Sequence, residues 1–170
     1  MHEALIAFGS NLGDRFKNLK LAINFLDSLP KTKITRVSDV YETRPADVID
    51  KQNFYLNCCA ILNTEFDPHI LLGCCLGIET SLGRERSYKN SPRTIDIDVI
   101  FYDNLSINEE NITIPHPMWI NRDFIIVPML FLYKDDAAKK LNLEKVLKNL
   151  KERHILRTFD SGQEILNTDR

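Results

Sequence analysis

The most informative part of the chain is residues 91–102, SPRTIDIDVIFY. Its β-branched and aromatic residues predict a β-strand in which Asp96 and Asp98 alternate with apolar residues. On a strand, residues two apart point to the same face and lie about 6.5–7 Å apart. The two carboxylates are therefore expected side by side, with Ile95, Ile97 and Val99 on the opposite, apolar face.

Two neighbouring carboxylates repel each other unless a cation joins them. Mg²⁺ is a suitable cation, because it commonly binds one or two carboxylates together with phosphate oxygens. We therefore predict that Asp96 and Asp98 are metal ligands. If the strand stood alone, an edge strand with solvated acids would be the alternative.

A basic loop, residues 83–93, directly precedes the acids and contains Arg84, Arg86 and Arg93. The planar guanidinium group matches two phosphate oxygens at once. Taken by itself, such a loop would be interpreted as a solvated basic surface. Next to the acid pair it predicts phosphoryl or pyrophosphoryl transfer, in which catalysis consists mainly of positioning and charge neutralisation.

The composition favours one globular domain, residues 1–170, since 44% of the residues are hydrophobic. The formal charge of −2 implies no general attraction to nucleic acid or membrane. The cysteines form two doublets, Cys58-Cys59 and Cys74-Cys75, without zinc-site or redox-motif spacing, and are expected to be buried free thiols. No secretory leader or membrane-length apolar run is present, so we expect a cytoplasmic protein, acting as a monomer.

Hydrophobic periodicity and turn residues divide the chain into predicted elements. In order these are strand 3–8, helix 14–29, strand 33–41, loop 42–53, strand 54–64, helix 67–82, the acid-bearing strand, a hairpin (105–107 with 112–114), helix 121–132 and an amphipathic segment 141–151. The order strand–helix–strand–strand–helix–strand predicts an α+β fold with a two-layer, ferredoxin-like βαββαβ core. This core spans about residues 4–132, followed by a C-terminal helix and tail at 133–170.

A possible second substrate site is indicated by Tyr55 and Asn57, which share one face of their predicted strand. An aromatic ring beside an amide suits a flat heterocycle, which stacks on the ring and hydrogen-bonds to the amide. The alternative is a core tyrosine and an asparagine at a strand end. Gly9 and Gly13 lack the following Lys and Ser/Thr of a Walker loop and are expected to form a tight turn.

Several motifs occur in an informative order: FGSNLG (8–13), YET (41–43), NFYLN (53–57), GRER (83–86), PRTIDID (92–98) and IPHP (114–117). Together they resemble the 6-hydroxymethyl-7,8-dihydropterin pyrophosphokinases of folate biosynthesis, and PRTIDID is the most specific of them. The resemblance covers about residues 4–132. It implies transfer of pyrophosphate from ATP to the hydroxymethyl group of the pterin, giving AMP and the pterin diphosphate, with two Mg²⁺ ions.

The same resemblance assigns roles to individual positions. It implies that the aspartate pair binds both metal ions and that two arginines stabilise the transferring group, while other residues surround the nucleotide and the pterin. The implied sets are Asp96 and Asp98 for metal; Arg84 and Arg93 for catalysis; Glu79, Arg86, Thr113, His116 and Arg122 for ATP; and Thr43, Tyr55, Asn57 and Phe124 for the pterin.

The chain departs from the family pattern in its two loops. Many members have a tryptophan where this chain has Asn90, and the loop is one residue shorter here, so Tyr88 is a candidate to help close the site. Arg44-Pro45 replaces a Pro-Pro pair of the family. Asp47 and Asp50 receive no role and are expected to be solvated.

Two other function classes share some of these sequence features. Another Mg²⁺ enzyme, such as a nuclease or phosphatase, would use the same acids but leaves the Tyr55 and Asn57 pair unexplained. An RNA-binding module would stack bases on sheet aromatics within a positive field. The two strand aspartates and the negative net charge disfavour that reading.

Overall fold

The structure, a computed structural model, describes residues 1–85, 87–88, 90–162 and 165. The elements in order are β1 (His2–Ser10), α1 (Arg15–Asp27), β2 (Thr32–Val37), β3 (Val40–Thr43), β4 (Tyr55–Thr64), α2 (Pro68–Ser81), β5 (Asp96–Tyr102), β6 (Ile107–Asn108), β7 (Thr113–Ile114), a 3₁₀ turn (Trp119–Asn121), α3 (Asp123–Leu132), α4 (Ala137–Asn149) and β8 (Ile155–Asp160). Within these ranges, no helix is long and apolar enough to cross a membrane.

The centre of the fold is a six-stranded antiparallel sheet. Its strand order is β5-β1-β4-β3-β8, and β2 also pairs with β4. The predicted strand 33–41 is two strands, because the Ser38 hydroxyl accepts the Cys59 N–H at 3.0 Å and so interrupts the ladder between them. The predicted hairpin is present as the short pair β6 and β7.

Helices cover both faces of the sheet. On one face α1 and α2 enclose a core that includes Ile6, Leu62 and Ile97. On the other, α3 and α4 pack on a second cluster that includes Leu5 and Ile61. The two-layer prediction is therefore incomplete, because α3, which lies within the predicted core 4–132, and α4 form a further layer on the second face. The apolar runs of β1 and β4 agree with this, since strands buried on both faces lose their polar alternation.

Helices α1 and α2 begin close to their predicted positions, and each is preceded by a capping aspartate. Asp14 accepts the Lys17 N–H at 3.1 Å at the start of α1. Asp67 accepts the N–H groups of His69 and Ile70 ahead of α2, with Pro68 in the first turn. All four cysteines are free thiols, as predicted; Cys58, Cys59 and Cys75 are buried, whereas Cys74 is only partly buried.

Strand β8 was not predicted, and a charged network attaches it to the rest of the sheet. Glu42 on β3, only 9% exposed, accepts hydrogen bonds from Arg157 at 2.9 Å and Arg15 at 3.0 Å. Arg15 also donates to the Phe54 carbonyl at 2.8 Å. The Arg157 and Arg15 guanidiniums hold the pKa of Glu42 below its ordinary value. One carboxylate thus links α1, β3 and the C-terminal strand.

We expect Glu42→Gln to lower the free energy of unfolding by about 2 kcal/mol at pH 7, because two charge-assisted hydrogen bonds to a buried carboxylate are lost. Since the lowered pKa stabilises the fold only while Glu42 is ionised, the difference should vanish as acid protonates it. Urea denaturation at pH 7 and pH 3 measures this. The matched control is Glu65→Gln, whose exposed ion pair with Lys31 is screened by solvent and should contribute much less. Equal losses in both variants would contradict the assignment.

Candidate functional site

The acid pair lies on β5 as predicted. The strand pairs with β1 so that Asp96 is opposite Gly9 and Asp98 is opposite Ala7. Ile97 and Val99 are buried against the α1 and α2 side, in the larger core. Asp96 and Asp98 therefore point to the other face of the sheet, toward the start of α3.

Two arginines from the preceding loop hold Asp96. Arg84 donates to Asp96 Oδ1 at 2.5 Å, and Arg93 donates to Oδ2 at 2.8 Å. Glu79, near the end of α2, also accepts from Arg84 and from the Ile97 N–H, the latter at 2.8 Å. Because Glu79 is bonded to the backbone of β5, it fixes Arg84 against the same strand that carries the acids.

The two acids differ in their electrostatic environment. Burial would raise the pKa of Asp96, but the Arg93 and Arg84 guanidiniums hold it below its ordinary value. Burial and the neighbouring Asp96 carboxylate raise the pKa of Asp98 to about 7. Burial, followed by the Arg122 guanidinium, lowers the pKa of His116. Asp98 is thus a carboxylate with too little positive charge around it.

Two clefts meet at the acid pair. The first, named the Tyr55 cleft, lies over β1, β4 and α3, and its wall includes Gly9, Thr43, Tyr55, Asn57, Phe124 and Ile125. The second, named the Glu79 cleft, is lined by residues that include Leu72, Glu79, Arg84, Tyr88 and His116. Both clefts share Asn90, Arg93, Asp96, Asp98 and Arg122. Two ligands in these clefts would face each other across the aspartates.

All four residues of the implied pterin set line the Tyr55 cleft. The Asn57 side chain donates to the Thr43 hydroxyl at 2.7 Å, which fixes the orientation of the amide. Tyr55 and Asn57 share a strand face, as predicted, because Leu56 between them belongs to the opposite core.

Only some of the five residues implied for ATP binding lie together in one cleft. Glu79, His116 and Arg122 line the Glu79 cleft. Thr113 is on β7, paired with Asn108, and is not among the residues that line either cleft. Arg86 lies outside the described residues.

Sequence reasoning missed a set of contacts between the loops at the cleft mouth. Tyr88 donates to Asp50 at 2.5 Å, and the Asn90 side chain donates to the Asp47 carbonyl at 2.8 Å. Gln52 donates to the Asn90 carbonyl at 2.9 Å. Asp47 and Asp50 are exposed, as expected, but their hydrogen bonds join the loop 42–53 to the basic loop 83–93. The partners are about forty residues apart, so local patterns gave no signal for the pairing.

Gly9 was also missed, having been assigned to a tight turn. It lies between Asn57 and Asp96 in the sheet register. A Cβ at this position would meet Asn57 Oδ1 at 2.8 Å, closer than side chains tolerate. The glycine therefore leaves room for the Asn57 amide in the floor of the Tyr55 cleft.

The acid pair suits a hard divalent cation. Magnesium prefers oxygen ligands, and the raised pKa of Asp98 marks a position where added positive charge would stabilise the ionised form. In the described part of the chain no group of three His, Cys, Asp or Glu forms a closed metal site. The remaining ligands would come from substrate or water, as is usual for Mg²⁺.

Sequence comparison assigns the family. The model of the 7,8-dihydro-6-hydroxymethylpterin-pyrophosphokinase (HPPK) family matches residues 5–134. A 2-amino-4-hydroxy-6-hydroxymethyldihydropteridine pyrophosphokinase of Methylorubrum extorquens is 36% identical over 79% of this chain and 85% of the relative. The Bacillus subtilis protein of the same name is 36% identical over 74% of this chain and 75% of its own length. The chain belongs to the HPPK family.

Other relatives are longer than this chain. The bifunctional protein FolKE of Lactococcus lactis IL1403 is 37% identical over 92% of this chain but only 46% of the relative. The chain thus spans less than half of this bifunctional protein. A crystal structure of a Plasmodium falciparum HPPK-DHPS triple mutant with STZ-DHP has a TM-score of 0.65 at 16% identity, covering 86% of this chain and 43% of that one. This likeness supports the fold.

We expect Asp98→Asn to raise the free energy of unfolding of the metal-free protein at pH 8. The pKa of Asp98 is higher in the folded protein than in the unfolded chain, so protonation of Asp98 favours folding. This stabilisation is fully present below the unfolded pKa and is lost as the pH rises through the folded pKa. Removing the charge should therefore stabilise the fold at pH 8 and have less effect at pH 5. Denaturation in EDTA at both pH values measures this.

The control for that measurement is Asp103→Asn. The Glu3 N–H and the His2 side chain lower the pKa of Asp103, so the ionised form favours folding and its removal should destabilise the protein at pH 8. Destabilisation by Asp98→Asn at pH 8 as well would refute the electrostatic description of the acid pair.

Proposed function

We propose that this protein transfers pyrophosphate from ATP to 6-hydroxymethyl-7,8-dihydropterin, giving AMP and the pterin diphosphate, a step of tetrahydrofolate biosynthesis. The observation that carries the proposal is the meeting of two clefts at Asp96 and Asp98, with Arg93 and Arg122 shared between them. Membership of the HPPK family supports the same reaction.

The Tyr55 cleft is the proposed pterin site. Tyr55 and Phe124 provide aromatic surfaces for a flat ring, and Asn57 and the backbone near Thr43 provide hydrogen-bonding groups for its edge. Since Asn57 is already held by Thr43, its amide is oriented before the substrate binds. Such preorganisation lowers the entropic cost of binding.

The Glu79 cleft is the proposed ATP site, with His116 and Arg122 along its wall. Asp96 and Asp98 would hold the two Mg²⁺ ions of the proposed reaction, and bound Mg²⁺ would neutralise phosphate charge and help to orient the phosphate groups. Arg84 and Arg93 already form ion pairs with Asp96, beside the proposed metal site. We propose that they stabilise the charge of the transferring group and of the AMP leaving group.

The catalytic contribution of the chain itself is mainly positioning. The two ligands would be held in clefts that open onto the same carboxylates, which brings the pterin hydroxyl toward the nucleotide phosphates. Arg93 lines both clefts, which supports a position for one cation between the proposed donor and acceptor. This account requires no strong general base.

We also propose that residues 1–170 form a single pyrophosphokinase domain built on a ferredoxin-like βαββαβ core. The strand order β5-β1-β4 with β2 and β3 beside β4 supports this description. Helices on both sheet faces also leave little open sheet for RNA, the binding mode of the rival ferredoxin-like modules.

The direct test is an assay with ATP, Mg²⁺ and 6-hydroxymethyl-7,8-dihydropterin in which AMP and ADP are both measured. We expect AMP in amounts equal to the pterin diphosphate, no AMP without the pterin, and loss of turnover when EDTA removes the metal. Asp98→Asn should abolish turnover while the variant stays folded, because a neutral amide is a poor magnesium ligand. Formation of ADP, or release of phosphate without pterin, would point to a kinase or a hydrolase instead.

We expect Gly9→Ala to weaken pterin binding by about tenfold, because the added methyl group must displace the Asn57 amide. The affinity for an ATP analogue should be unchanged, since Gly9 lines only the Tyr55 cleft. Fluorescence titration of the pterin and calorimetry of the nucleotide measure the two affinities. The matched control is Gly73→Ala on α2, where a Cβ meets nothing within 4 Å. Equal effects of both variants on the pterin would contradict the role of Gly9.

A further inference from the structure

His154 lies just before β8, outside residues 5–134 that match the family model. Its side chain is 12% exposed and borders a cavity that adjoins the Tyr55 cleft through Ala46 and Arg122. His154 lies C-terminal to the predicted core 4–132, and no role was predicted for it from the sequence. Its contacts nevertheless reach two walls of the Tyr55 cleft.

The first contact is with Phe124. The His154 ring meets the Phe124 ring edge-on, with centroids 5.7 Å apart and an interplanar angle of 87°. The guanidinium carbon of Arg122 lies 5.6 Å from the centroid of the same Phe124 ring. The aromatic ring on the α3 wall of the cleft is thus flanked by two side chains that limit its movement.

The second contact is with the chain that follows Thr43. The His154 carbonyl accepts the Arg44 N–H at 2.9 Å, and Ile155 is opposite Thr43 in the pairing of β3 with β8. Both Thr43 and Arg44 line the Tyr55 cleft. The main chain at His154 therefore supports the backbone beside Thr43, while the His154 side chain packs on the Phe124 ring.

A buried carboxylate fixes His154 itself. Asp123, 2% exposed at the start of α3, accepts the N–H groups of His154 at 2.8 Å and Ile155 at 3.0 Å. Its other oxygen lies 3.4 Å from His154 Nδ1. Asp123 immediately precedes Phe124. The contact between Asp123 and His154 therefore joins the start of β8 to the start of α3, where Phe124 lies.

We propose that His154 is a positioning residue for pterin binding, which acts through Phe124 and the backbone at Arg44 and does not touch the substrate. The inference rests on the proposed function, because it assigns a support to the proposed pterin site. It gives the C-terminal segment a part in substrate recognition.

The test uses variants that separate the two properties of the side chain. His154→Gln keeps a polar partner for Asp123 but removes the ring, whereas His154→Phe keeps an aromatic ring and removes the polar nitrogen. Since an aromatic pair contributes about 0.5–1.5 kcal/mol, the KM for the pterin should rise about three- to tenfold in His154→Gln. It should stay near the wild-type value in His154→Phe, and the KM for ATP should be unchanged in both variants.

Thr158→Ala is the matched control, an exposed position on the same strand that is opposite Tyr41 in the pairing of β3 with β8. Thermal unfolding of each variant separates a loss of stability from a loss of affinity. If His154→Gln is poorly folded, the pterin affinity of His154→Phe still tests the proposal. A tenfold loss of affinity in His154→Phe would show that an aromatic ring at position 154 does not support the pterin site.

The outcomes also separate this inference from the proposed function. A wild-type protein that neither binds the pterin nor forms AMP from ATP would overturn the proposed function, and this inference with it. An active wild-type protein whose His154→Gln variant keeps the wild-type KM for the pterin would overturn the role of His154 alone. Equal changes in the KM for the pterin and for ATP would show a general structural role and would also overturn it.

Discussion

The repulsion between Asp96 and Asp98 on one strand is the constraint on which the rest of the site depends. The sheet keeps the two carboxylates from separating, so positive charge has to be brought to them. Arg84 and Arg93 supply part of it, and Glu79 and the Ser91 carbonyl hold those arginines in place. The raised pKa of Asp98 shows that this compensation is incomplete, which leaves the site attractive to a further cation.

Features set by neighbouring residues could be predicted from the sequence. The alternation around the acids gave the two faces of β5, and Asp14 and Asp67 gave the starts of α1 and α2. Tyr55 and Asn57 were placed on one face by their spacing alone. These predictions succeeded because strand geometry and helix capping act over only a few residues.

Features set by distant partners could not be predicted in this way. Strand β8 is held by Glu42, which is more than a hundred residues earlier in the chain. The place of Gly9 between two strands depends on the register of both, and the pairing of Asp123 with the start of β8 depends on how α3 packs. Family resemblance implied several residues that line the clefts, but the connections behind them had no local pattern from which to infer them.

The hydrogen bonds between the two loops affect how fast the protein can work. Tyr88, Asn90 and Gln52 join segments that both contribute to the clefts, so a ligand that needs more room than the clefts offer would enter only when these hydrogen bonds break. Loop opening is then a kinetic step of its own, distinct from bond making. In many enzymes such motions take microseconds to milliseconds and limit product release. Asn90 joins the two loops through both its side-chain amide and its carbonyl, so these hydrogen bonds would have to break each time the loops part.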